Sequence, residues 1–276
     1  MKYRLIAFDL DGTVLRGDKS FGPATLRALR SAAEAGALIV PATGRLYGGV
    51  PEELREAPFA RCFITINGAQ IYDAREKRVL SRAEIPNELA LRLMDHMAGL
   101  DVLYDCYKDD WGFVSEALYE RAADYIADKG ILAMFRRTRS CVPDLRDYLR
   151  ENGGSVQKTQ MHFRDPELRL RELETLPGRF PEIAVSTSIP TNIELNIRRA
   201  NKGDALRSLC AELGVPIEET LAFGDGTNDL SMIRAAGLGV AVANADPLVR
   251  EAADAVCADN EHDGVAAFIE ALLTSG

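Results

Sequence analysis

Two short apolar runs near opposite ends of the chain are each followed at once by acidic residues. Leu5–Phe8 precedes Asp9, and Leu221–Phe223 precedes Gly224 and Asp225. Runs that are apolar at every position are typical of strands buried on both faces of a parallel sheet. If the two strands lie in one such sheet, their carboxyl ends share an edge. The pattern therefore predicts that the two acidic segments meet in one crevice.

Strand and helix patterns alternate in both of these regions. The first region has a helix pattern at 23–35 and strand patterns at 37–40 and 62–66. The last region has helix patterns at 202–212 and 229–235 and strand patterns at 220–223 and 239–242. This alternation favours right-handed βαβ units and an α/β fold with a doubly wound parallel sheet.

The middle of the chain has a different character and predicts an inserted domain. It contains a helix pattern at 88–97, strand patterns at 102–104 and 157–163, and a polar segment at 105–111 that forms either a hairpin turn or a contact to a sugar. We therefore predict a core formed by residues 1–80 and 192–276, interrupted by a second α/β domain at residues 81–191.

Composition narrows the class of protein. The chain has 276 residues, 47% of them hydrophobic, and a net charge of -9, which allows a substantial core and argues against a nucleic-acid-binding surface. Five scattered cysteines without a Cys-x-x-Cys pair predict neither a disulfide framework nor a zinc site. No signal-peptide pattern and no run of ~18 apolar residues is present, so we expect a cytoplasmic protein that does not bind a membrane.

The acidic segments carry a resemblance to a known family. Asp9-x-Asp11-x-Thr13 after the first strand and Gly224-Asp225-x-x-Asn228-Asp229 after the later one resemble the motifs of the haloacid dehalogenase (HAD) superfamily of phosphohydrolases, in particular its Cof-type subfamily IIB sugar phosphatases. The resemblance implies a Rossmann-like core. It also implies that the insert is a C2B-type cap, which covers the active site and carries much of the substrate choice.

Asp9, Asp11 and Lys202 are the predicted catalytic residues. Asp9 could attack phosphorus and carry an aspartyl-phosphate. Asp11, two residues along an extended segment, faces the same side and could act as general acid and base. A lysine is electrostatically disfavoured where Lys202 opens a helix, and the resemblance supplies a reason, since the family's lysine neutralises Asp9 and the phosphoryl oxygens. An exposed lysine is the alternative.

Because the Asp9 carboxylate and the phosphoryl group are both negatively charged, we predict that a bound cation reduces their repulsion. Carboxylate and carbonyl oxygens as ligands favour Mg²⁺. We expect Asp9 and Asp225 as ligands, together with the backbone carbonyl of Asp11 by analogy with the family. Asp229 would complete the site, directly or through water. Asp225 and Asp229 could instead cap the helix that begins there.

The remaining predicted site residues bind the phosphoryl group. Thr43 and Gly44 correspond to the family's second motif, with a hydroxyl and a backbone N–H as donors. Arg45 either joins them or is a surface or cap-facing charge. Asn228 orients Lys202, binds phosphate through its amide, or is simply a turn residue.

These expectations define a Mg²⁺-dependent phosphatase that acts on a small phosphorylated metabolite, with sugar phosphates as the expected class. A phosphomutase or phosphotransferase with the same fold is one alternative, and a non-catalytic phosphometabolite-binding protein is another. We expect a monomer or a small homo-oligomer.

Overall fold

The protein forms two compact units in its computed structural model, which describes residues 2–274. One unit combines the chain up to Arg82 with the chain from Asn201 onward, and the other is Ala83–Ala200. The predicted bounds of the insert were 81 and 191.

The chain up to Arg82 contains β1 (Leu5–Phe8), α1 (Thr25–Glu34), β2 (Leu38–Pro41), α2 (Glu52–Arg55), β3 (Cys62–Thr65), β4 (Gln70–Asp73) and β5 (Arg78–Arg82). The inserted unit contains α3 (Asn87–Ala98), β6 (Val102–Lys108), β7 (Trp111–Ser115), α4 (Glu116–Glu120), α5 (Ala122–Tyr125), α6 (Lys129–Arg137), β8 (Arg139–Val142), α7 (Leu145–Asn152), β9 (Lys158–Phe163), α8 (Pro166–Arg179), β10 (Ile183–Ser186) and β11 (Asn192–Ile197). The last stretch contains α9 (Lys202–Leu213), β12 (Thr220–Gly224), α10 (Leu230–Ala235), β13 (Leu238–Val242), α11 (Pro247–Ala252), β14 (Ala255–Cys257) and α12 (Gly264–Thr274).

A five-stranded parallel sheet in the order β14-β13-β12-β1-β2 is the centre of the first unit. Helix α1 packs against α12, and α9 packs against α10. Strands β1 and β12 are buried throughout, as their apolar sequences predict. They lie side by side with Phe8 opposite Phe223, so the segments that follow them meet at one edge. The predicted α/β fold with a parallel sheet is confirmed.

The strand predicted at 62–66 does not join this parallel sheet. Strand β3 belongs to a three-stranded antiparallel sheet with β4 and β5. Isolated parallel bridges from Ile39 to Ala60 and from Ala42 to Ile64 place it beside β2. It ends at Thr65 because Ile66 and Asn67 both have positive φ, which a strand cannot accommodate.

The inserted unit is built on a six-stranded sheet in the order β10-β11-β9-β6-β7-β8. One face carries apolar side chains such as Val102, Met161 and Leu195, which form a single core with residues of α3, α7 and α8. Strand β11 pairs with β9, which explains why this unit continues past the predicted bound at 191. The segment 105–111 forms the β6–β7 hairpin, with Asp109 and Asp110 at positive φ in the turn.

The opposite face of this sheet carries buried ion pairs. Arg139 Nε donates to Asp105 Oδ2 at 2.7 Å and its Nη2 donates to the Tyr107 hydroxyl at 2.8 Å. Lys158 Nζ donates to Glu194 Oε1 at 3.0 Å. Because unpaired buried charges are costly, each of these cations requires its partner.

Within residues 2–274, every helix is too short or too polar to cross a lipid bilayer.

Candidate active site

Three carboxylates from two chain segments converge at the carboxyl edge of the parallel sheet. Asp9 directly follows β1, and its backbone N–H donates to the Phe223 carbonyl of β12 at 3.0 Å. Asp225 directly follows β12. Oxygens of Asp9, Asp225 and Asp229 lie within 4.8 Å of one another. A cluster of carboxylate oxygens is the donor set that a hard divalent cation prefers.

Lys202 lies between two of these carboxylates. It is the first residue of α9, after Asn201, whose side chain accepts the Asp204 N–H at 2.8 Å and so caps the helix. Lys202 is fully buried, and its Nζ donates to Asp9 Oδ1 and to Asp229 Oδ1, both at 2.5 Å. The alternative of an exposed lysine is therefore wrong. The charge at the start of α9 is balanced by the two carboxylates that it contacts.

Asp229 does not cap α10 through its side chain. Its Oδ2 instead accepts the backbone N–H groups of Asp225 and Gly226, both at 3.0 Å. Its Oδ1 accepts from Lys202. Asp229 thus closes the loop after β12 and fixes the lysine at the same time.

Burial and crowding change the acidity of this group. Burial raises the pKa of Asp9 well above its usual value, and the carboxylates of Asp229 and Asp225 add to the rise against the effect of Lys202. Burial and Asp229 raise the pKa of Asp225 to about 6. Burial would lower the pKa of Lys202, but Asp229 and Asp9 outweigh it and raise that pKa. One lysine thus faces several carboxylates, and a divalent cation would offset the excess negative charge. The residues fit Mg²⁺.

The turn after Asp9 packs closely against the side chain of Asp225. Gly12 has a φ of +84°, and a Cβ at this position would lie 2.4 Å from Asp225 Oδ2. The Thr13 hydroxyl donates to Asp225 Oδ1 at 2.8 Å. This contact joins residues 212 positions apart, so no local pattern in the sequence indicates it.

Asp11 lies outside the three-carboxylate cluster and contacts two cations. Arg45 binds it in a bidentate manner, with Nε to Oδ2 at 2.7 Å and Nη2 to Oδ1 at 2.6 Å, and Lys19 Nζ lies 2.9 Å from Oδ1. Although burial acts in the opposite direction, the hydrogen bonds from Arg45 and Lys19 lower the pKa of Asp11. Arg45 therefore holds the predicted general acid and base, and it is not a free surface charge. Lys19 was not among the predicted site residues.

Thr43, Gly44 and Asn228 come together around Asn67, which was also not predicted as a site residue. Thr43 is buried just after β2, and its carbonyl accepts the Asn67 N–H at 3.0 Å. Asn228 Nδ2 donates to Asn67 Oδ1 at 3.1 Å. Asp9 and Asp229 are the residues that orient Lys202. Asn228 is therefore not the residue that orients Lys202, and phosphate binding by its amide stays a prediction.

Comparison with known proteins places this arrangement in a family. A sequence model described as haloacid dehalogenase-like hydrolase matches residues 6–269. A 5-amino-6-(5-phospho-D-ribitylamino)uracil phosphatase from Bacillus subtilis is 30% identical over 268 residues, which cover 96% of this chain and 94% of the relative. A pyridoxal phosphate phosphatase from Escherichia coli is 30% identical over 98% of both chains.

Solved structures agree with the sequence comparisons. A haloacid dehalogenase-like hydrolase from Bacteroides thetaiotaomicron superimposes with a TM-score of 0.81 at 30% identity, covering 98% of this chain and 99% of that one. A haloacid dehalogenase-like hydrolase from B. subtilis superimposes with a TM-score of 0.83 at 27% identity, covering 97% and 99% of the two chains.

Proposed function

Because the chain belongs to the haloacid dehalogenase-like hydrolases, we propose that it is a Mg²⁺-dependent phosphatase that hydrolyses small phosphorylated metabolites through Asp9. The observation that carries the proposal is the buried contact of Lys202 Nζ with both Asp9 and Asp229, next to Asp225. The phosphatase names of two relatives that are 30% identical over nearly the whole chain support it.

In the proposed reaction, a carboxylate oxygen of Asp9 forms a bond to phosphorus while the bond from phosphorus to the leaving oxygen breaks. Protonated Asp11 gives its proton to that leaving oxygen. Water then attacks the aspartyl-phosphate, Asp11 takes the proton of the water, and phosphate and free Asp9 result. Because Arg45 and Lys19 favour ionised Asp11, their contacts must weaken before the first step.

The other predicted site residues would bind the phosphoryl group or the metal ion. Thr43, Gly44, Asn228 and Lys202 would bind phosphoryl oxygens. Asp9 and Asp225 would hold Mg²⁺, with the backbone carbonyl of Asp11 by analogy with the family. Asp229 accepts hydrogen bonds from Lys202 and the Asp225 N–H, and it would complete the site, directly or through water. When bound, the ion offsets the repulsion between Asp9 and the phosphoryl group.

The substrate class is the finer part of the proposal. The two relatives are named for a ribityl phosphate and for pyridoxal phosphate as substrates. The alcohols that leave from these two esters differ chemically. We propose sugar phosphates as the main class, turned over in the cytoplasm by a monomer or small homo-oligomer without nucleic acid or membrane partners.

Phosphate release tests the proposal. Sugar phosphates, pyridoxal phosphate and nucleotides would be offered to the wild type and to Asp9→Asn, each with Mg²⁺ and with EDTA. We expect release that needs both Asp9 and the metal ion. Conversion of a sugar phosphate without phosphate release would favour the mutase, and tight binding without conversion would favour the binding protein.

A further inference from the structure

The turn that follows β3 has a backbone conformation that its sequence does not favour. Ile66 has a φ of 54°, Asn67 of 57° and Gly68 of 93°. Glycine adopts positive φ freely and asparagine tolerates it, but a β-branched residue such as isoleucine rarely does. Ile66 and Asn67 are both buried, at 0% and 4% exposure. Such a conformation persists only where surrounding contacts enforce it.

The contacts that hold this turn come from segments with predicted phosphoryl-binding residues. The Ile66 N–H donates to the Arg45 carbonyl and the Asn67 N–H donates to the Thr43 carbonyl, both at 3.0 Å. A Cβ on Gly68 would lie 2.3 Å from the carbonyl oxygen of Asn201, the residue before Lys202. The turn is therefore fixed against both segments.

The side chain of Asn67 faces the two remaining phosphoryl-binding groups. Its Oδ1 accepts from Asn228 Nδ2 at 3.1 Å. A Cβ added to Gly44 would lie 2.9 Å from the same oxygen. One amide oxygen thus sets the direction of the Asn228 donor and the spacing of Asn228 from the Gly44 backbone.

We propose that Asn67 is a positioning residue for phosphoryl transfer, which acts by orienting the Asn228 amide beside Thr43 and Gly44. The inference rests on the proposed function, since it concerns the same phosphoryl group. In the left-handed conformation the Asn67 side chain reaches Asn228 while the Asn67 N–H stays bonded to the Thr43 carbonyl. A preorganised donor stabilises the transferring group without reorganisation during the reaction.

Asn67→Gly is the informative change, because glycine keeps the positive φ and removes the amide. We expect kcat/KM to fall by about tenfold, the size expected for one lost hydrogen bond, while Tm is maintained. Lys77→Gly is the matched control, since Lys77 also has a positive φ, in the exposed β4–β5 turn. Equal kcat/KM for Asn67→Gly, Lys77→Gly and the wild type would overturn the inference. If the glycine variant lowers Tm, kcat/KM is compared at a temperature well below the Tm of every variant.

A double-mutant cycle separates positioning from a merely structural role. If Asn67 acts through Asn228, Asn67→Gly lowers kcat/KM in the wild type but has no further effect in Asn228→Ala. Full additivity of the two losses would contradict the mechanism. The same cycle on the affinity for inorganic phosphate, measured by calorimetry with Mg²⁺, needs no turnover. Loss of phosphate affinity in Asn67→Gly would therefore support the inference even if the phosphatase proposal failed, and unchanged affinity would refute it.

Discussion

At the scale of the single residue, Lys202 has a structural role in the fold and, under the proposed function, a chemical one. It is fully buried and bonded to Asp9 and Asp229. Removing its charge leaves two carboxylates in close, buried contact without a cation, which is costly to the fold. It also removes the positive charge beside Asp9. Stability and activity should therefore fall together.

We predict that Lys202→Met lowers kcat by about 10²–10³-fold, as for other losses of a preorganised electrostatic group. Its Tm should fall at neutral pH and recover partly with Mg²⁺, which supplies positive charge. Steady-state kinetics and thermal unfolding measure both effects, with Lys77→Met as the exposed control. A normal kcat in Lys202→Met would contradict the assigned role.

The raised pKa of Asp225, about 6, predicts how metal binding depends on pH. The folded, metal-free protein holds a proton on Asp225 more tightly than the unfolded chain. The stabilisation from this proton is complete below the ordinary pKa of 3.8 and is lost as the pH rises through about 6. Above about pH 6 the Asp225 carboxylate is ionised, so protons no longer compete with Mg²⁺ for it.

The Tm increase caused by Mg²⁺ should therefore be small at about pH 5 and larger at about pH 7.5. Asp225→Asn should show little increase at either pH, since it removes a ligand charge. Thermal unfolding with and without Mg²⁺ measures this. A Tm increase that is independent of pH in the wild type would count against Asp225 as a ligand.

The sequence could indicate those site residues that directly follow an apolar strand or open a helix. Asp9 and Asp225 were predicted in this way, and Lys202 was predicted with the support of the family resemblance. The structure brings the three side chains together. Three contacts were not predicted: that of Lys19 with Asp11, that of Thr13 with Asp225, and that of Asn67 with Asn228. These depend on contacts between distant segments or on a left-handed turn, and neither leaves a periodic pattern in the sequence.

At the scale of elements, the strands and helices that were predicted around the parallel sheet match the structure to within a few residues, because their apolar patterns are strong. Strand β14 and helices α11 and α12 were not predicted. Strand β11 was missed as part of the insert, since its alternating sequence fits a half-buried strand in either unit. Only its pairing with β9 shows that β11 belongs to the inserted unit.

The packing of α9 against α10 depends on Gly203. A Cβ there would lie 2.3 Å from the Ser231 carbonyl oxygen. Gly203→Ala should therefore destabilise the fold by about 1–3 kcal/mol, as overpacking does. In the same unit, a Cβ added to Gly48 would have no atom of residues 2–274 within 4 Å apart from its chain neighbours, so Gly48→Ala should leave stability nearly unchanged. Denaturant unfolding compares the two, and equal stabilities would show that the helices can separate freely.

In the inserted unit, the buried ion pair of Arg139 and Asp105 is expected to contribute to stability. Asp105→Ala should cost about 3–5 kcal/mol, because it leaves a buried guanidinium without its carboxylate. Asp147→Ala removes an exposed partner of Arg150 and should have little effect. Unfolding of the two variants, followed by circular dichroism, tests the difference. Similar stabilities would mean that solvent reaches Arg139.

At the scale of the whole molecule, the division into a core and an insert followed from a change in sequence pattern. The core was predictable as a class of fold because alternating strands and helices allow few topologies. The substrate was not predictable, since a shared fold does not fix the leaving group. Under the proposed function, the chemistry at phosphorus depends instead on Asp9.

The most direct test of this account is to look for the phosphoryl group on Asp9. The wild type, turning over the best substrate with Mg²⁺, would be quenched rapidly in acid and analysed by peptide mass spectrometry, with Asp9→Asn and the exposed Asp95→Asn as controls. We predict a phosphorylated Asp9 in the wild type and in Asp95→Asn, and neither the adduct nor phosphate release in Asp9→Asn. Phosphate release by Asp9→Asn at the wild-type rate would contradict the central claim.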